Sequence, residues 1–158
     1  MPVHLNRRGE AFMVDVGAKP VTARRAVARG RVSMSASALK RLKGGALPKG
    51  DAFAAARLAG IMAAKRTSEL IPLCHPLALD AAELRLRAGR GRVSVEAEVR
   101  SSSRTGVEME ALAAVSAACL TVYDMVKSED RAMVIGPIYL AEKSGGRSGL
   151  YRRPKPPR

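Results

Sequence analysis

The chain has 158 residues, enough for one domain with its own core. Hydrophobic residues make up 47% and aromatics 3%, with no Trp, so the core is expected to be aliphatic. The net charge of +14, from 28 Lys+Arg against 14 Asp+Glu, calls for an anionic partner: nucleic acid, a membrane surface or a phosphorylated small molecule. Two cysteines, Cys74 and Cys119, are too few for a disulfide framework or a four-Cys zinc site, and both sit in apolar sequence as inert thiols would. No apolar run reaches about 18 residues, so no membrane span is expected. The first residues lack a signal-peptide core, which makes the cytoplasm the default expectation.

Residues 1–25 read as an irregular arm punctuated by Gly9, Gly17 and Pro20. Ala26–Met34 alternates small or apolar with basic or polar residues, as a strand does. Ser35 caps a short helix, Ala36–Leu42, stopped by Gly44 and Gly45. Asp51 favours the start of a longer helix, Ala52–Lys65. Pro72 and Pro76 brace a rigid loop around Leu73, Cys74 and His75. Ala82–Ala88 and Arg92–Arg100 alternate with period two around Gly89-Arg90-Gly91, which predicts a hairpin with one wet face. Ala111–Val122 is nearly all small or apolar and predicts a buried helix. Ala132–Ala141 predicts a last strand, with Gly136-Pro137 marking a bulge or edge. A Gly/Ser loop from Lys143 to Gly149 follows, and 150–158 reads as a disordered basic tail. Basic residues crowd two regions, one from Arg7 to Arg31 and one from Arg147 to Arg158. Strand, helix, strand, strand, helix, strand is the order of a ferredoxin-like α+β fold, an antiparallel sheet with two longer helices on one face.

The buried helix organises the candidate chemistry. Glu108 and Glu110 stand at its entrance, and Asp124 and Lys127 at its exit. Asp124 and Lys127 are one turn apart, and Glu110 and Asp124 are close to four turns apart, so all can share one face. An Asp-x-x-Lys pair is ordinarily a solvated ion pair. Here it lies on an element with no polar face of its own, where a cleft or interface can tune a pKa. Lys49-Gly50-Asp51 is ordinarily a helix entry, but an amine beside a helix N-terminus is also an anion site. Cys74 and His75 do not complete a metal shell, and a His held in a Pro-braced loop suits phosphate donation or proton shuttling. The Lys143–Gly149 loop lacks the Gly-Lys-Ser/Thr of a Walker A motif, yet its backbone amides can cradle phosphate.

Taken together, these strings resemble one family. Met13-Val-Asp-Val, Lys49-Gly-Asp, Ala59-Gly-Ile-Met-Ala-Ala-Lys65-Arg-Thr, Leu70-Ile-Pro-Leu-Cys-His75-Pro-Leu, Thr105-Gly-Val-Glu-Met-Glu-Ala-Leu, Tyr123-Asp-Met-Val-Lys127, Met133-Val-Ile-Gly-Pro and Lys143-Ser-Gly-Gly-Arg-Ser-Gly occur in order. They resemble the MoaC family, the cyclic pyranopterin monophosphate synthases of molybdenum cofactor biosynthesis. The resemblance implies a ferredoxin-like homohexamer, a trimer of dimers with sites at the dimer interface. It implies a nucleotide-derived substrate, 3′,8-cyclo-7,8-dihydroguanosine 5′-triphosphate, converted to cyclic pyranopterin monophosphate with pyrophosphate released. Asp124 and Lys127 match the catalytic pair. Leu73, Cys74 and His75 match one substrate-binding segment, and Met109 and Glu110 another. Lys49, Lys65, Lys143 and Arg24 match basic residues of the pocket, and Glu108 its acidic wall. Gly17, Val126 and Arg147 depart from the usual residues without removing a catalytic group. No protein-held cofactor or metal is implied; Mg²⁺ would accompany the triphosphate.

Two rival readings set the contrast. A basic ferredoxin-like RNA-binding module would need aromatics on the sheet for stacking, and the hairpin strands carry none. A non-catalytic assembly subunit would leave the clustering of Asp124, Lys127, Glu108 and Glu110 unexplained. The reading expects neither nucleic acid nor a membrane as a partner, with the RNA-binding module kept as the alternative.

Overall fold

The computed structural model of the chain describes residues 5–6, 8–45 and 47–155. Arg7 and Arg158, counted above in the two basic regions, lie outside the described residues, as do Pro156 and Pro157 of the tail.

The hairpin sets the frame. Strands β2 (Ala81–Gly89) and β3 (Arg92–Ser103) pair antiparallel from Ala81↔Arg100 to Gly89↔Arg92. Arg90 and Gly91 form the turn with φ of 52° and 72°, the backbone hand that matches strand twist. β1 (Thr22–Ser33) lies along the other side of β3, in register from Thr22↔Ser103 to Ser33↔Arg92. Both strands outrun the sequence expectation, which began the first at Ala26 and ended the other at Arg100. Each extension supplies the other's partner, since Thr22–Arg25 pair with Arg100–Ser103. The serines there are weak strand formers, and their hydroxyls are used locally. Ser101 donates to the Ala78 carbonyl and Ser103 to the Thr105 carbonyl, both at 2.8 Å.

The expected single strand Ala132–Ala141 is two strands. β4 (Val134–Ile135) pairs with the end of β1, and β5 (Tyr139–Ser144) pairs with its middle, on either side of the cis Gly136–Pro137 bond. The tail is also corrected. Tyr151 and Arg152 form β6 against Lys143 and Glu142, and the Arg153 amide donates to the Ala141 carbonyl at 2.9 Å. The antiparallel sheet thus runs β2-β3-β1-β5-β6, with β4 beside β1. The arm before Thr22 holds one isolated bridge, Leu5 to Ala11.

Among the described residues, four helices complete the α+β fold: α1 (Ala36–Lys43), α2 (Ala52–Lys65), α3 (Thr67–Leu70) and α4 (Glu108–Val126). Ser35 caps α1 and Asp51 caps α2, the latter accepting from the amides of Phe53 and Ala54. The short α3 was not foreseen. Its Thr67 is buried and returns its hydroxyl to the carbonyls of Ala63 and Ala64. α4, at 19 residues, is long and apolar enough to cross a bilayer, longer than the Ala111–Val122 run suggested. It is nevertheless the core helix of this domain. Ala111, Ala114, Val115, Ala118, Cys119, Val122 and Val126 are fully buried, and a valine side chain so buried contributes roughly 1.5–3 kcal/mol.

α2 and α4 cover one face of the sheet, and small residues let them approach it. A Cβ at Gly30 of β1 would meet Val115 Cγ1 at 2.6 Å. One at Gly60 of α2 would meet Leu84 Cδ2 of β2 at 2.2 Å and the Ala114 carbonyl of α4 at 2.8 Å. The register puts Ala28, Ala97 and Leu84 in one row beneath the helices. The neighbouring row, Arg29, Glu96 and Arg85, points to the opposite face.

Candidate active site

At the exit of α4, Asp124 is clasped by two amines. Lys127 Nζ lies 2.8 Å from Asp124 Oδ1, one turn along the helix. Lys49 Nζ lies 2.6 Å from Oδ2 and 3.2 Å from the Asp124 carbonyl oxygen. Lys49 reaches there from the turn before α2, where Gly50 at φ 86° returns its amide to the Leu47 carbonyl. All three side chains are about half exposed. Lys127 first and Lys49 second hold the Asp124 carboxyl down to about 2, so it is ionised across the physiological range. The centre is a fixed carboxylate that orients two ammonium groups.

At the entrance of α4 the conditions invert. Glu110 is only 4% exposed. Burial pushes its carboxyl above the ordinary range, the Glu108 charge adds to this, and its own backbone amide opposes it. Cys74 is raised as well, by burial first and then by the Glu110 charge, which marks the two as neighbours. Lys143 Nζ sits 2.9 Å from Glu108 Oε1 and donates to Ser148 Oγ at 2.8 Å. The Glu108 carboxylate occupies the space a Cβ on Gly106 would take, with Oε2 1.9 Å from that point. Arg24 donates to the carbonyls of Ser103 and Arg104, both at 3.3 Å. Gly145 and Gly146, at φ 99° and 69°, close over it; a Cβ on Gly146 would fall 1.6 Å from Arg24 Nη1. His75 Nε2 is 2.8 Å from the Val14 carbonyl. A carbonyl only accepts, so Nε2 carries a proton there.

A bulge decides which way Lys143 points. The β1–β5 register slips between Val27 and Ala28, leaving Ala141 as an extra residue. Val27 then faces Glu142, and Ala26 faces Lys143. Lys143 is thereby aimed at the helix layer and Glu108, while Glu142 turns to the other face and binds Arg25 and Arg152. Were Ala141 paired in regular register with Val27 instead, the two would exchange faces.

α2 and α4 run antiparallel, since Lys49 meets Asp124 and Gly60 meets Ala114. The same offset sets Lys65, exposed at the end of α2, level with Met109 and Glu110. Leu73, partly buried, and the half-exposed Met109 belong to that end too. The structure therefore divides the expected pocket. Lys49, Asp124 and Lys127 gather at one end of α4; Arg24, Lys65, Leu73, Cys74, His75, Glu108, Met109, Glu110 and Lys143 belong to the other. Glu110 and Asp124, fourteen residues apart at 1.5 Å each, are separated by about 21 Å. Among the described residues no three His, Cys, Asp or Glu side chains converge as a metal set.

Sequence reasoning missed Ser148, the Ala141 bulge, Gly106 under Glu108 and the Val14 tether. Ser148 lay inside the Lys143–Gly149 loop that had been singled out. The bulge leaves no periodic trace in a strand this short.

An antiparallel α+β fold carrying amines, a fixed carboxylate and a buried carboxyl at the ends of one helix defines an enzyme for an anionic substrate. Residues 13–146 match the model of the MoaC family, and the chain belongs to that family. It is 56% identical over 152 residues to the cyclic pyranopterin monophosphate synthase of Pelotomaculum thermopropionicum, covering 95% of this chain and 89% of the relative. It is 61% identical over 148 residues to that of Roseiflexus castenholzii, covering 92% and 94%. With cyclic pyranopterin monophosphate synthase 1 of Mycobacterium tuberculosis it shares 58% over 151 residues, covering 95% and 89%.

Proposed function

We propose that this chain converts 3′,8-cyclo-7,8-dihydroguanosine 5′-triphosphate to cyclic pyranopterin monophosphate and pyrophosphate. It is a lyase of molybdenum cofactor biosynthesis. Lys65, His75, Lys143 and Arg24 hold the anionic substrate, with Lys49 contributing beside Asp124. Lys127 moves a proton during the ring rearrangement, and Asp124 orients it and balances its charge. Pyrophosphate leaves as the cyclic phosphate closes, and the surrounding cations stabilise the charge that develops. Mg²⁺ accompanying the triphosphate and a cytoplasmic location belong to the same proposal. So does the ferredoxin-like classification, which the order β2-β3-β1-β5 and the two helices on one face support.

The observation that carries the reading is the division of the site. Two groups about 21 Å apart cannot act on one substrate within a single chain. A second copy resolves this. Leu58, Met62 and Leu120, on α2 and α4, are 63%, 52% and 61% exposed, an apolar patch suited to an interface. A two-fold axis over this layer sets α4 antiparallel to the second copy's α4 and joins the exit of each to the entrance of the other. Each dimer then holds two composite sites, and three dimers form the hexamer.

Subunit mixing tests this. Lys127→Ala and Glu110→Ala chains should each be inactive alone. Co-refolded in equal amounts, they should recover about a quarter of parental pyrophosphate release, because half the dimers regain one intact site. A mixture as inactive as its components removes the shared site. A parental protein that makes no pyrophosphate from the cyclic dihydro-nucleotide removes the function.

A further inference from the structure

The sheet face that α2 and α4 leave uncovered is densely charged, and most of that charge is balanced. Arg25 binds Glu98 and Glu142, and Arg152 binds Glu142. Arg29 and Arg85 share Glu96, at 2.7 and 3.1 Å. One place breaks the pattern. In the next row the residue between Arg31 and Arg87 is Ser94, small and neutral. Arg92 follows two residues back along β3. Among the described residues, no carboxylate lies within ion-pair distance of Arg31, Arg87 or Arg92; Arg31 donates only to the Gly136 carbonyl, at 3.2 Å. The three guanidinium groups belong to a groove of about 650 Å³ walled by Pro137 and Tyr139. That is the size of a small-molecule site.

We propose that this groove is a second anion site, for a compact polyphosphate, on the sheet face opposite the residues of the proposed reaction. Guanidinium forks match phosphate oxygens two at a time, and an anion relieves the mutual repulsion of three unpaired cations. The Ser94 hydroxyl lies at the centre as a further donor. A long nucleic acid fits less well. Glu96, then Glu83, Glu98 and Glu142, interrupt the basic surface along the sheet toward the C-terminal end of β3, so the unbalanced charge is confined to the hairpin end and is a spot, not a stripe. Tyr139 is the described aromatic of this face, and the Arg153 guanidinium already lies 5.4 Å from its ring centre. The Arg-rich end of the chain thus packs, through Arg153, on a residue that walls the groove. The ligand chemistry is a di- or triphosphate, supplied free or as part of a nucleotide.

The experiment is calorimetric titration of the full chain with inorganic pyrophosphate, inorganic tripolyphosphate and GTP, on the parent and on Arg87→Gln/Arg92→Gln. The parent should show two classes of site per chain for pyrophosphate. The double variant should lose one class, its binding weakened by about tenfold or more, while turnover at saturating substrate is unchanged. Equal affinity for tripolyphosphate and GTP assigns recognition to the phosphates alone, and tighter GTP binding adds a nucleoside contact; both support the site. A pyrophosphate isotherm that is unaltered in the double variant overturns it. So does a change of oligomeric state in the double variant without a change in pyrophosphate binding, which would make the groove an interface between copies. A single-stranded oligonucleotide that binds more tightly than tripolyphosphate and is lost in the double variant would overturn it in favour of nucleic acid. This proposal rests on the proposed reaction only for the second class of site and for turnover; the difference between the isotherms of parent and double variant reads the groove alone, so either can fail alone.

Discussion

The two ends of α4 use the same residue types under opposite conditions. At the exit, Asp124 is half exposed and clasped by two lysines, so its carboxyl falls to about 2. At the entrance, Glu110 is buried beside Glu108 and Cys74, and its carboxyl is pushed up. One acid is held charged by partners, and the other is driven toward neutrality by burial. The helix supplies both from one stretch of sequence, and the difference comes from what packs against each end. An enzyme that must both give and take protons gains from acids held in opposite states.

The largest break in this comparison is expected at Lys127. Arg keeps the charge opposite Asp124 but does not release a proton at working pH. Lys127→Arg should fold normally and lose turnover by about 10²-fold or more, measured by steady-state kinetics with calorimetric binding of a non-reacting triphosphate analogue. Near-parental turnover would reduce Lys127 to an electrostatic contact.

A second break acts on both ends together. α2 has Lys49 in the turn before its start and Lys65 at its end, and it approaches α4 closely at Gly60. Gly60→Ala forces a methyl toward the Ala114 carbonyl and Leu84, and should cost about 1–3 kcal/mol. Chemical denaturation measures it; an unchanged midpoint would show that the helices separate freely.

Glu110→Gln sharpens the entrance. A carboxyl raised by folding stabilises the protein when protonated, and that contribution is lost as pH rises through the raised value. The Gln variant should keep its stability on the alkaline side where the parent declines, read as melting temperature against pH. Parallel curves would mean that Glu110 does not titrate abnormally.

The smallest effect belongs to Asp124, and its sign is opposite. A carboxyl lowered from 3.8 to about 2 contributes stability that is present above 3.8 and lost as pH falls through 2. The cluster is half exposed, so solvent screens most of it. Asp124→Asn should flatten the acid limb of the melting curve slightly between those values, and a carbon-detected carboxyl titration of the parent gives the site directly.

Much of this was legible in the residues. The alternation through Ala82–Ala88 and Val93–Val99 located the hairpin, because a half-buried strand imposes a period of two. Asp51 and Ser35 marked two helix starts, because the first amides of a helix need an acceptor. The motif strings named the family. The strand ends were missed because Ser101–Ser103 and Thr22–Arg25 are ordered by each other, across the sheet and not along the chain. The tail was misread because β6 is held by two residues of β5, a partner that composition does not reveal.

By itself the sequence determined the hairpin, the capped helices α1 and α2, the buried helix with its charged ends, and the residue types available for chemistry, since these follow from local periodicity and capping. Only the tertiary structure decided how those residues are grouped. It turned Lys143 inward through one extra residue in β5, brought Lys49 to Asp124 across two helices, and buried Glu110 while leaving Asp124 in solvent. Each of these depends on register and packing between segments far apart in the chain, and a one-residue slip in register sends a side chain to the other face of the sheet.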